Sequence, residues 1–383
     1  MRSEIASPDA RVVVSPYRIC PIGAHSDHQG GPVLGMTVDA HTLLGFAPTD
    51  TPRVELTSAN FPGRVCFDLG QPCEVPEMPG WGRYPAAAAA AMSDVLPPAP
   101  RGITGRVRGT LPGGGLSSSA SVLLAYVEAL ADANGLALGA KQKMDLALAA
   151  ERDFVGMRVG LLDPATIVVG KKDRLIALDT ETSTFVALEL GPAAPGFRIL
   201  IVFSGAPRHL SATPYNRRVD ECFAAVRFLA AKTGRDNTHG LNAFTDEELE
   251  HYADELPEIP LRRARHFFTE RARVRAGADA WRSGDLERFG ELMNRSCRSS
   301  IENWESGSEE LIALQTILEQ TPGIFGSRFS GAGFGGCIVA LVGSDQASDA
   351  RGAVERAVRR EMPQYAERVR VFFVESDDGI RLL

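Results

Sequence analysis

The sequence lacks the features that mark several large classes of protein. No apolar run approaches the roughly 20 residues that a membrane-spanning helix needs. The opening stretch MRSEIASPDARVVV has no apolar core of the kind found in a secretory signal. Acidic residues outnumber basic ones by 48 to 41, so no excess of positive charge would draw the chain to nucleic acid or to an anionic membrane. We therefore expect a cytoplasmic protein that binds neither.

The cysteines show no clustering that would indicate a metal site or a disulfide framework. There are six of them, scattered without a CxxC pair or a cluster of cysteines and histidines. They are Cys20, Cys66, Cys73, Cys222, Cys297 and Cys337. We interpret them as structural cysteines.

Strand and helix patterns alternate along the 383 residues, which predicts an α/β protein. Apolar runs such as RVVV, RVELTS and RILIVFSG predict strands, and WGRYPAAAAAAMSDVL predicts a helix. The stretch ALELGPAAPGF has the glycine and proline composition of a linker. We therefore expect two domains, residues 1–192 and residues 193–383.

Three glycines and three serines precede an apolar helix in LPGGGLSSSASVLLAYVEALADANG. Glycine lets the backbone approach an anion, and the first N–H groups of a helix are unpaired and point outward. With the helix dipole they would form a phosphate cradle. The loop has neither the GK[ST] of a Walker loop nor the spacing of a dinucleotide GxGxxG. A flexible linker would explain the composition, but not the helix that follows at once.

Two further segments combine glycine with small or polar residues. RVVVSPYRICPIGAHSDHQGG, residues 11–31, runs from an apolar strand into arginine, histidine, aspartate and glycine. RFSGAGFGGCIVALV, residues 328–342, leads from a turn of small residues into an apolar strand. Taken alone, the second is either a tight turn or a backbone that lines a ligand.

In order along the chain, these three segments resemble the motifs of the GHMP small-molecule kinases, and within them the galactokinase family. SPYRICPIGAHSDHQGG is similar to the sugar-binding first motif, LPGGGLSSSAS to the ATP-phosphate loop and FSGAGFGGCIVALV to the third motif. WGRYPAA, AAERDFVGMRVGLLDP and RRARHFFTE have family counterparts in the same order. The resemblance implies an N-terminal mixed-sheet domain, a ferredoxin-like C-terminal α/β domain and an active site in the cleft between them.

The resemblance also implies ATP and Mg²⁺ as ligands. Adenine would lie in an apolar pocket near Trp81, although a core aromatic is an equally simple interpretation of that residue. The phosphates would lie over the glycine-serine loop, beside the third motif. The residues concerned are Gly113, Gly114, Gly115, Ser117, Ser118, Ser119, Gly331 and Gly333.

Glu151 matches the magnesium carboxylate of the family, and Ser119 is our choice for a hydroxyl ligand. Mg²⁺ takes few oxygens from protein, because nucleotide phosphates and water supply the others. Without the resemblance, Glu151 would be interpreted as an exposed helical glutamate.

Asp163 follows the apolar residues GLL and precedes a proline, so from the residues alone it either caps a helix or takes part in chemistry. The resemblance implies that Asp163 is the catalytic aspartate and that Arg18 is its partner. A sugar anomeric hydroxyl is a weak nucleophile, and in-line phosphoryl transfer needs it positioned with its proton accepted. Arg18 would help to stabilise the charge that develops on the sugar oxygen.

In the family, the residues that match His25, Asp27, Gly160 and Tyr215 bind sugar hydroxyls, Gly160 through its backbone. An aspartate accepts from two hydroxyls at once, which suits a vicinal pair on a pyranose. A lone histidine is more often structural, but His25 lies within the sugar motif and is interpreted as a ligand residue.

Ala24 departs from the galactokinase pattern, which has a glutamate there in contact with the 6-hydroxyl of galactose. Alanine removes a negative charge beside C6, where a uronic acid carries a carboxylate. The form with Tyr17, Ala24 and His28 is similar to that of the galacturonokinases. We therefore expect an ATP-dependent kinase that makes α-D-galacturonate 1-phosphate, with Tyr17, His28 and Arg208 as candidate donors to the C6 group.

Three alternatives stay open. The first is a galactokinase that tolerates Ala24, and the second is a sensor that binds sugar and ATP to recruit a transcriptional partner. The third is a GHMP kinase for mevalonate, homoserine or a similar alcohol, which the HSDH sugar loop disfavours. Arg18, Asp163 and the SSSAS segment favour catalysis over sensing. The expected partners are a small sugar or uronic acid and ATP, and a monomer is favoured.

Overall fold

A computed structural model describes residues 7–71, 80–206, 214–236 and 238–383. Strands and helices are mixed through these ranges, which confirms the α/β prediction. The described strands form two sheets, one of eight strands and one of four. No helix in these ranges is long and apolar enough to cross a membrane.

The larger sheet is built mainly from the first half of the chain. Its strands are β1 (Arg11–Ile22), β2 (Val33–Pro48), β3 (Arg53–Ser58), β4 (Arg64–Asp68), β5 (Ile103–Gly109), β6 (Arg174–Asp179), β7 (Thr184–Glu189) and β12 (Arg381–Leu382). Their order is β12-β1-β2-β5-β3-β4, with β6 pairing with β2 and β7 pairing with β6. The sheet is mixed, because β3 and β5 are parallel while β1 and β2 are antiparallel.

The strands of the smaller sheet are β8 (Phe197–Phe203), β9 (Ile324–Ser330), β10 (Cys337–Gly343) and β11 (Arg370–Val374). They are antiparallel and lie in the order β11-β8-β10-β9. Alternate residues of β8 point to opposite faces, and both faces are buried. Leu200 and Val202 pack with the helices of residues 309–361, whereas Ile199 and Ile201 pack toward the larger sheet.

The described helices pack against both sheets. They are α1 (Arg83–Ala91), α2 (Ser118–Ala133), α3 (Ala140–Ala149), α4 (Leu162–Val169), α5 (Tyr215–Thr233), α6 (Asp246–His251), α7 (Glu258–Ser283), α8 (Leu286–Glu302), α9 (Glu309–Glu319) and α10 (Ala347–Glu361). The alanine-rich helix is shorter than its predicted segment, since it ends at Ala91. α2 begins directly after the glycine-serine loop, as predicted, which brings its unpaired first N–H groups to that loop.

The sheets divide the chain near the expected domain boundary. β7 ends at Glu189 in the larger sheet, and β8 begins at Phe197 in the smaller one. However, the chain returns to the larger sheet as β12, and one core cluster contains side chains from both sheets. The boundary between residues 192 and 193 is therefore kept as a proposal.

β1 is longer than its apolar opening indicates. RVVV marks its start, but the strand continues through SPYRICPI to Ile22. Arg18, in this second half, is 3% exposed and bonds to Asp163, Gly115 and Ser330. A buried charge is tolerated when it is paired and hydrogen-bonded. The strand therefore carries part of the polar segment into the interior.

Candidate active site

One cavity brings together most of the predicted site residues. It lies where β1 and the loop after it meet the first turns of α2, α4 and α5, opposite the third glycine segment. The predicted residues that line it are Arg18, Ala24, His25, Asp27, Gly115, Ser117, Ser118, Ser119, Glu151, Gly160, Asp163, Tyr215 and Gly331.

Asp163 lies in the first turn of α4 and accepts hydrogen bonds from two side chains. Arg18 Nε donates to its Oδ1 at 2.7 Å, and Ser117 Oγ donates to its Oδ2. Arg18 Nη1 also donates to the Gly115 carbonyl at 3.2 Å. Burial acts to lower the pKa of the Arg18 guanidinium, but the adjacent Asp163 carboxylate outweighs this effect and raises the pKa above its usual value. One guanidinium thus connects the carboxylate to the glycine loop.

Asp27, not Asp163, takes the capping role at α4. The backbone N–H of Leu162 donates to Asp27 Oδ2 at 3.2 Å. A Cβ on Gly160 would fall 2.2 Å from the same oxygen, so only glycine leaves room for this carboxylate. Burial, and after it the charge of Asp163, raises the pKa of Asp27 to about 6. At neutral pH Asp27 is mainly ionised and can accept hydrogen bonds from hydroxyl groups.

His25 presents its ring to the cavity from a backbone conformation that is uncommon for a residue with a Cβ. Its φ is 66°, and its ring stacks on Trp304 with centroids 4.7 Å apart and planes at 6°. Burial, with a contribution from His266, lowers the pKa of His25 well below its usual value. Its Nε2 is buried without a hydrogen-bond partner among the described residues. A neutral imidazole is therefore held with one nitrogen available to a ligand.

Ala24 contributes a methyl group to the cavity wall. The residue is 4% exposed, so the backbone around it is buried as well. Arg18 is the one arginine or lysine among the described lining residues, whereas Asp27, Glu151 and Asp163 all contribute carboxylates. The cavity is already rich in negative charge without a glutamate at residue 24.

The glycine-serine loop and the third glycine segment meet through their backbones. Gly115 has φ +90°, and a Cβ there would fall 2.6 Å from the Ser330 carbonyl oxygen. A Cβ on Gly331 would in turn approach the backbone of Gly115 to 3.0 Å. Ser118 Oγ donates to the Gly113 carbonyl at 3.1 Å, which ties the loop to the first turn of α2. The first N–H groups of α2 therefore border a backbone surface without side chains, as a phosphate group requires.

Glu151 is not the exposed helical glutamate that its local sequence indicates. It lies in a π-helical turn, Ala150–Val155, that continues α3, and it is 5% exposed. It lines the cavity together with Ser119. In the described ranges, no three His, Cys, Asp or Glu side chains cluster as a metal site. A single carboxylate and a hydroxyl fit Mg²⁺, which completes its shell with phosphates and water.

Comparisons with known proteins identify the family. Models of the N-terminal and C-terminal domains of GHMP kinases match residues 83–171 and 278–363. A galacturonokinase of Arabidopsis thaliana is 37% identical over 98% of this chain and 94% of the relative. The chain belongs to the GHMP kinase family. A galactokinase of Thermococcus kodakarensis, 33% identical over 97% of this chain and 99% of its own, is a further relative.

Solved structures confirm the GHMP kinase fold. The crystal structure of Lactococcus lactis galactokinase complexed with galactose matches with a TM-score of 0.89 and 29% identity, over 98% of this chain and 95% of that one. A mevalonate kinase with a TM-score of 0.66 and 16% identity shares the fold. As a GHMP kinase, the chain is a phosphotransferase that acts on an alcohol group.

Tyr17 lies on the opposite side of β1 from Arg18, because successive residues of a strand point to opposite faces. It is 2% exposed within the core, and burial raises its pKa to about 12, opposed in part by its bond to Thr42. This placement does not support Tyr17 as a direct donor to the C6 group of a substrate.

His28 is buried beside the cavity and does not line it. Both ring nitrogens lack a hydrogen-bond partner among the described residues, and the ring edge faces Tyr215 at 6.3 Å. Burial lowers the pKa of His28 to about 3, and the charges of Arg152 and Arg158 add to this shift. Its effect on a substrate would therefore pass through neighbours such as Asp27 and Tyr215, which line the cavity. Arg208, the third candidate donor, lies outside the described residues.

Four residues predicted to bind ATP are not among those that line the cavity. Trp81 Nε1 donates to the Pro62 carbonyl at 3.2 Å, and its ring packs against the core formed by α1 and α2. Gly113 and Gly114 belong to the loop beside the cavity, and Gly333 packs against Ser306. Their roles in ATP binding stay predictions.

Part of the cavity wall was not predicted. The additional lining residues are Cys20, Met157, Val159, Leu162 and Ala332. They are apolar or weakly polar, whereas the sequence analysis selected residues for hydrogen bonding. Cys20 lies two residues after Arg18 in the same strand, so the strand period of two would have placed it on the same face.

Replacement of Gly115 by alanine should weaken ATP binding by about tenfold or more and sugar binding by much less. The positive φ disfavours any side chain, and the added Cβ would meet the Ser330 carbonyl, so the loop must move. Calorimetric titration with a non-hydrolysable ATP analogue and, separately, with sugar measures both affinities.

Gly135→Ala is the matched control for this loop variant. Gly135 also has a positive φ, +65°, but nothing lies within 4 Å of a Cβ there. The Gly135→Ala variant should lose stability without losing nucleotide affinity. If Gly115→Ala lost sugar affinity and kept nucleotide affinity, the two sites would have been assigned the wrong way round.

Proposed function

We propose that this kinase transfers the γ-phosphoryl group of ATP to the anomeric hydroxyl of D-galacturonate, giving α-D-galacturonate 1-phosphate and ADP. The observation that carries the proposal is Ala24 in the cavity wall, at the point where the galactokinase motif has a glutamate. The relative named galacturonokinase, 37% identical over 98% of the chain, supports it independently.

Charge in the cavity explains why Ala24 matters. Asp27, Glu151 and Asp163 already face the substrate space, with Arg18 as their one cationic counterpart among the described lining residues. A fourth carboxylate at residue 24 would repel a uronate directly, whereas a methyl group leaves room for its C6 carboxylate.

Neutral donors and a nearby positive potential suit a bound carboxylate. The His25 ring is neutral, with Nε2 buried and unpartnered among the described residues, and Tyr215 lines the cavity with a phenol whose pKa burial raises well above its usual value. Arg152 places a positive charge near the same loop. Burial lowers the pKa of His28, and the charge of Arg152 lowers it further. These groups stabilise an anion without a cation in direct contact.

Asp27 and Gly160 would bind the sugar ring. The Asp27 carboxylate is fixed by the Leu162 N–H and retains lone pairs for two vicinal hydroxyls. The Gly160 backbone lies against the same carboxylate. In the proposed complex, the opposite end of the ring, with the anomeric hydroxyl, would lie toward Asp163 and the glycine loop.

Asp163 then acts as the proton acceptor. As the sugar oxygen bonds to the γ-phosphorus, the bond from that phosphorus to the β-phosphate oxygen breaks, ADP leaves, and the hydroxyl proton passes to Asp163. Arg18 fixes the orientation of the carboxylate at 2.7 Å and places positive charge beside the reacting oxygen.

ATP would bind with its phosphates at the glycine-serine loop and the N-terminus of α2. Ser119 and Glu151 would hold Mg²⁺, which neutralises phosphate charge when it is bound. Ser118 keeps the loop against the helix through its bond to the Gly113 carbonyl.

Glu151→Gln should raise the Mg²⁺ concentration needed for half-maximal activity by about tenfold or more, because the carboxamide is a weaker ligand than the carboxylate. Magnesium titrations of initial rate, and calorimetry of ATP analogue with and without Mg²⁺, measure the effect. Glu128→Gln, at a partly buried glutamate paired with Lys143, is the control and should leave the titration unchanged. An unchanged titration in Glu151→Gln would remove Glu151 from the metal site.

The proposed function is tested by measuring ATP-dependent phosphorylation of galacturonate, galactose, glucuronate and glucose in parallel. Galacturonate should give the highest kcat/KM. Higher activity on galactose would overturn the assignment and favour the second candidate, a galactokinase, which the relatives of that name and the Lactococcus lactis structure support. Sugar and ATP binding without phosphoryl transfer would point to a sensor.

A further inference from the structure

Helix α7 binds the backbone on both sides of the Gly23–Ala24 peptide. The Gly23 N–H donates to Glu270 Oε1 at 2.7 Å, and His266 Nε2 lies 2.9 Å from the Ala24 carbonyl oxygen. His266 and Glu270 are one helical turn apart on α7, and both are fully buried. The part of the sugar loop that faces C6 of the proposed substrate is thus attached to a helix from the other half of the chain.

The bond to Ala24 has a defined direction. A carbonyl oxygen only accepts, so the proton lies on His266 Nε2. Burial lowers the pKa of His266 to about 4, so the ring is neutral near pH 7 and its Nδ1 carries no proton. Nδ1 therefore accepts from Ser299 Oγ at 3.0 Å, and Ser299 Oγ accepts from Asn303 Nδ2 at 3.2 Å. A chain of three hydrogen bonds, Asn303 to Ser299 to His266 to Ala24, selects one histidine tautomer.

The peptide that accepts this bond connects the two loop residues that face the substrate. Its carbonyl belongs to Ala24, and its nitrogen belongs to His25, whose φ is 66°. Trp304, which follows α8, stacks on the His25 ring from the far side. Rotation of this peptide would move the Ala24 methyl group and the His25 ring together, which would change the space for the C6 substituent.

We propose that His266 is a positioning residue that determines substrate specificity, because its Nε2–H fixes the Ala24–His25 peptide. The inference rests on the proposed function, in which Ala24 and His25 surround the C6 carboxylate. His266 does not line the cavity, so it acts on substrate through the residues it contacts, which include Ala24, His25 and Trp304.

The test compares His266→Phe, which keeps a ring and removes the donor, with His266→Gln, whose amide restores one. In His266→Phe the buried Ala24 carbonyl loses its partner, and kcat/KM for galacturonate should fall by about tenfold or more through KM. Galactose should lose less, so the preference between the two sugars should narrow. KM for ATP should stay unchanged, and His266→Gln should recover most of the loss.

Ser299→Ala tests the same chain without changing the histidine. Its control is Ser327→Ala, at another buried serine whose hydroxyl has no hydrogen-bond partner among the described residues. Ser299→Ala should narrow the sugar preference in the same direction and by a smaller factor, whereas Ser327→Ala should not. An unchanged ratio of galacturonate to galactose kcat/KM in both His266→Phe and Ser299→Ala would overturn the inference. So would an equal loss for both sugars and for ATP. A wild-type enzyme that prefers galactose would instead overturn the proposed function. That result needs no variant, so it can be distinguished from a failure of the inference about His266.

Discussion

Asp163→Asn should reduce turnover by about two to four orders of magnitude, the range expected when a general base is lost. The carboxamide cannot take the sugar proton at the pH where the carboxylate does. Its oxygen can still accept from Arg18 Nε, which bonds to Asp163 Oδ1 at 2.7 Å. Single-turnover kinetics at saturating sugar and ATP isolate the chemical step.

The asparagine variant is preferable to alanine because Arg18 is only 3% exposed. Alanine would remove both the charge and the hydrogen-bond acceptor opposite this guanidinium, at a penalty of about 3–5 kcal/mol of folding stability, whereas asparagine removes the charge and keeps the acceptor. Asp163→Asn should keep its melting temperature within a few degrees, and galacturonate affinity within about threefold, by calorimetry. Unimpaired turnover in this variant would remove Asp163 from the role of base.

The local parts of the fold were predictable from sequence because their signals are local. RVELTS corresponds to β3, and the helix after the glycine loop begins where three serines offer a start. The first motif was harder, because its second half contains arginine and proline and resembles a loop. It is a strand to Ile22, since Arg18 finds its partners in α4 and in two glycine segments.

The residues that line the cavity could be predicted where a motif selects them, whereas a distant residue that supports the cavity wall could not. Asp163 could be either a cap or a base from its sequence. In the structure it is the second residue of α4, after the N-cap Leu161, and its two oxygens accept from Arg18 and Ser117. His266 is 242 residues from Ala24 along the chain, so no pattern in the first motif could indicate it. Tyr17 was named as a candidate donor because the strand alternation that separates it from Arg18 was not applied to this segment.

Ala24→Glu should suppress phosphorylation of galacturonate by around a thousandfold. Two like charges about 4 Å apart repel by about 4 kcal/mol at an effective dielectric constant near 20, and 1.36 kcal/mol corresponds to a factor of ten. Ala24 is 4% exposed, so bulk water screens the pair little. The same substitution should partly restore activity on galactose, because a carboxylate at this point can accept a hydrogen bond from a 6-hydroxyl. Measurement of kcat/KM for both sugars checks the two effects.

Ala24→Gln is the matched control, since it adds nearly the same volume without the charge. If charge determines the preference, the glutamine variant should retain much more galacturonate activity than the glutamate variant, by about tenfold or more. If both variants lose galacturonate activity equally, the space around Ala24 determines the preference and the electrostatic explanation is wrong. Added salt distinguishes two kinds of repulsion: repulsion in a cavity closed to bulk water should change little between low and moderate ionic strength, whereas repulsion across solvent should weaken. Because Asp27, Glu151 and Asp163 already line the cavity, we expect one more carboxylate to weaken the binding of a uronate, so that the proposed substrate requires the absence of a carboxylate at residue 24.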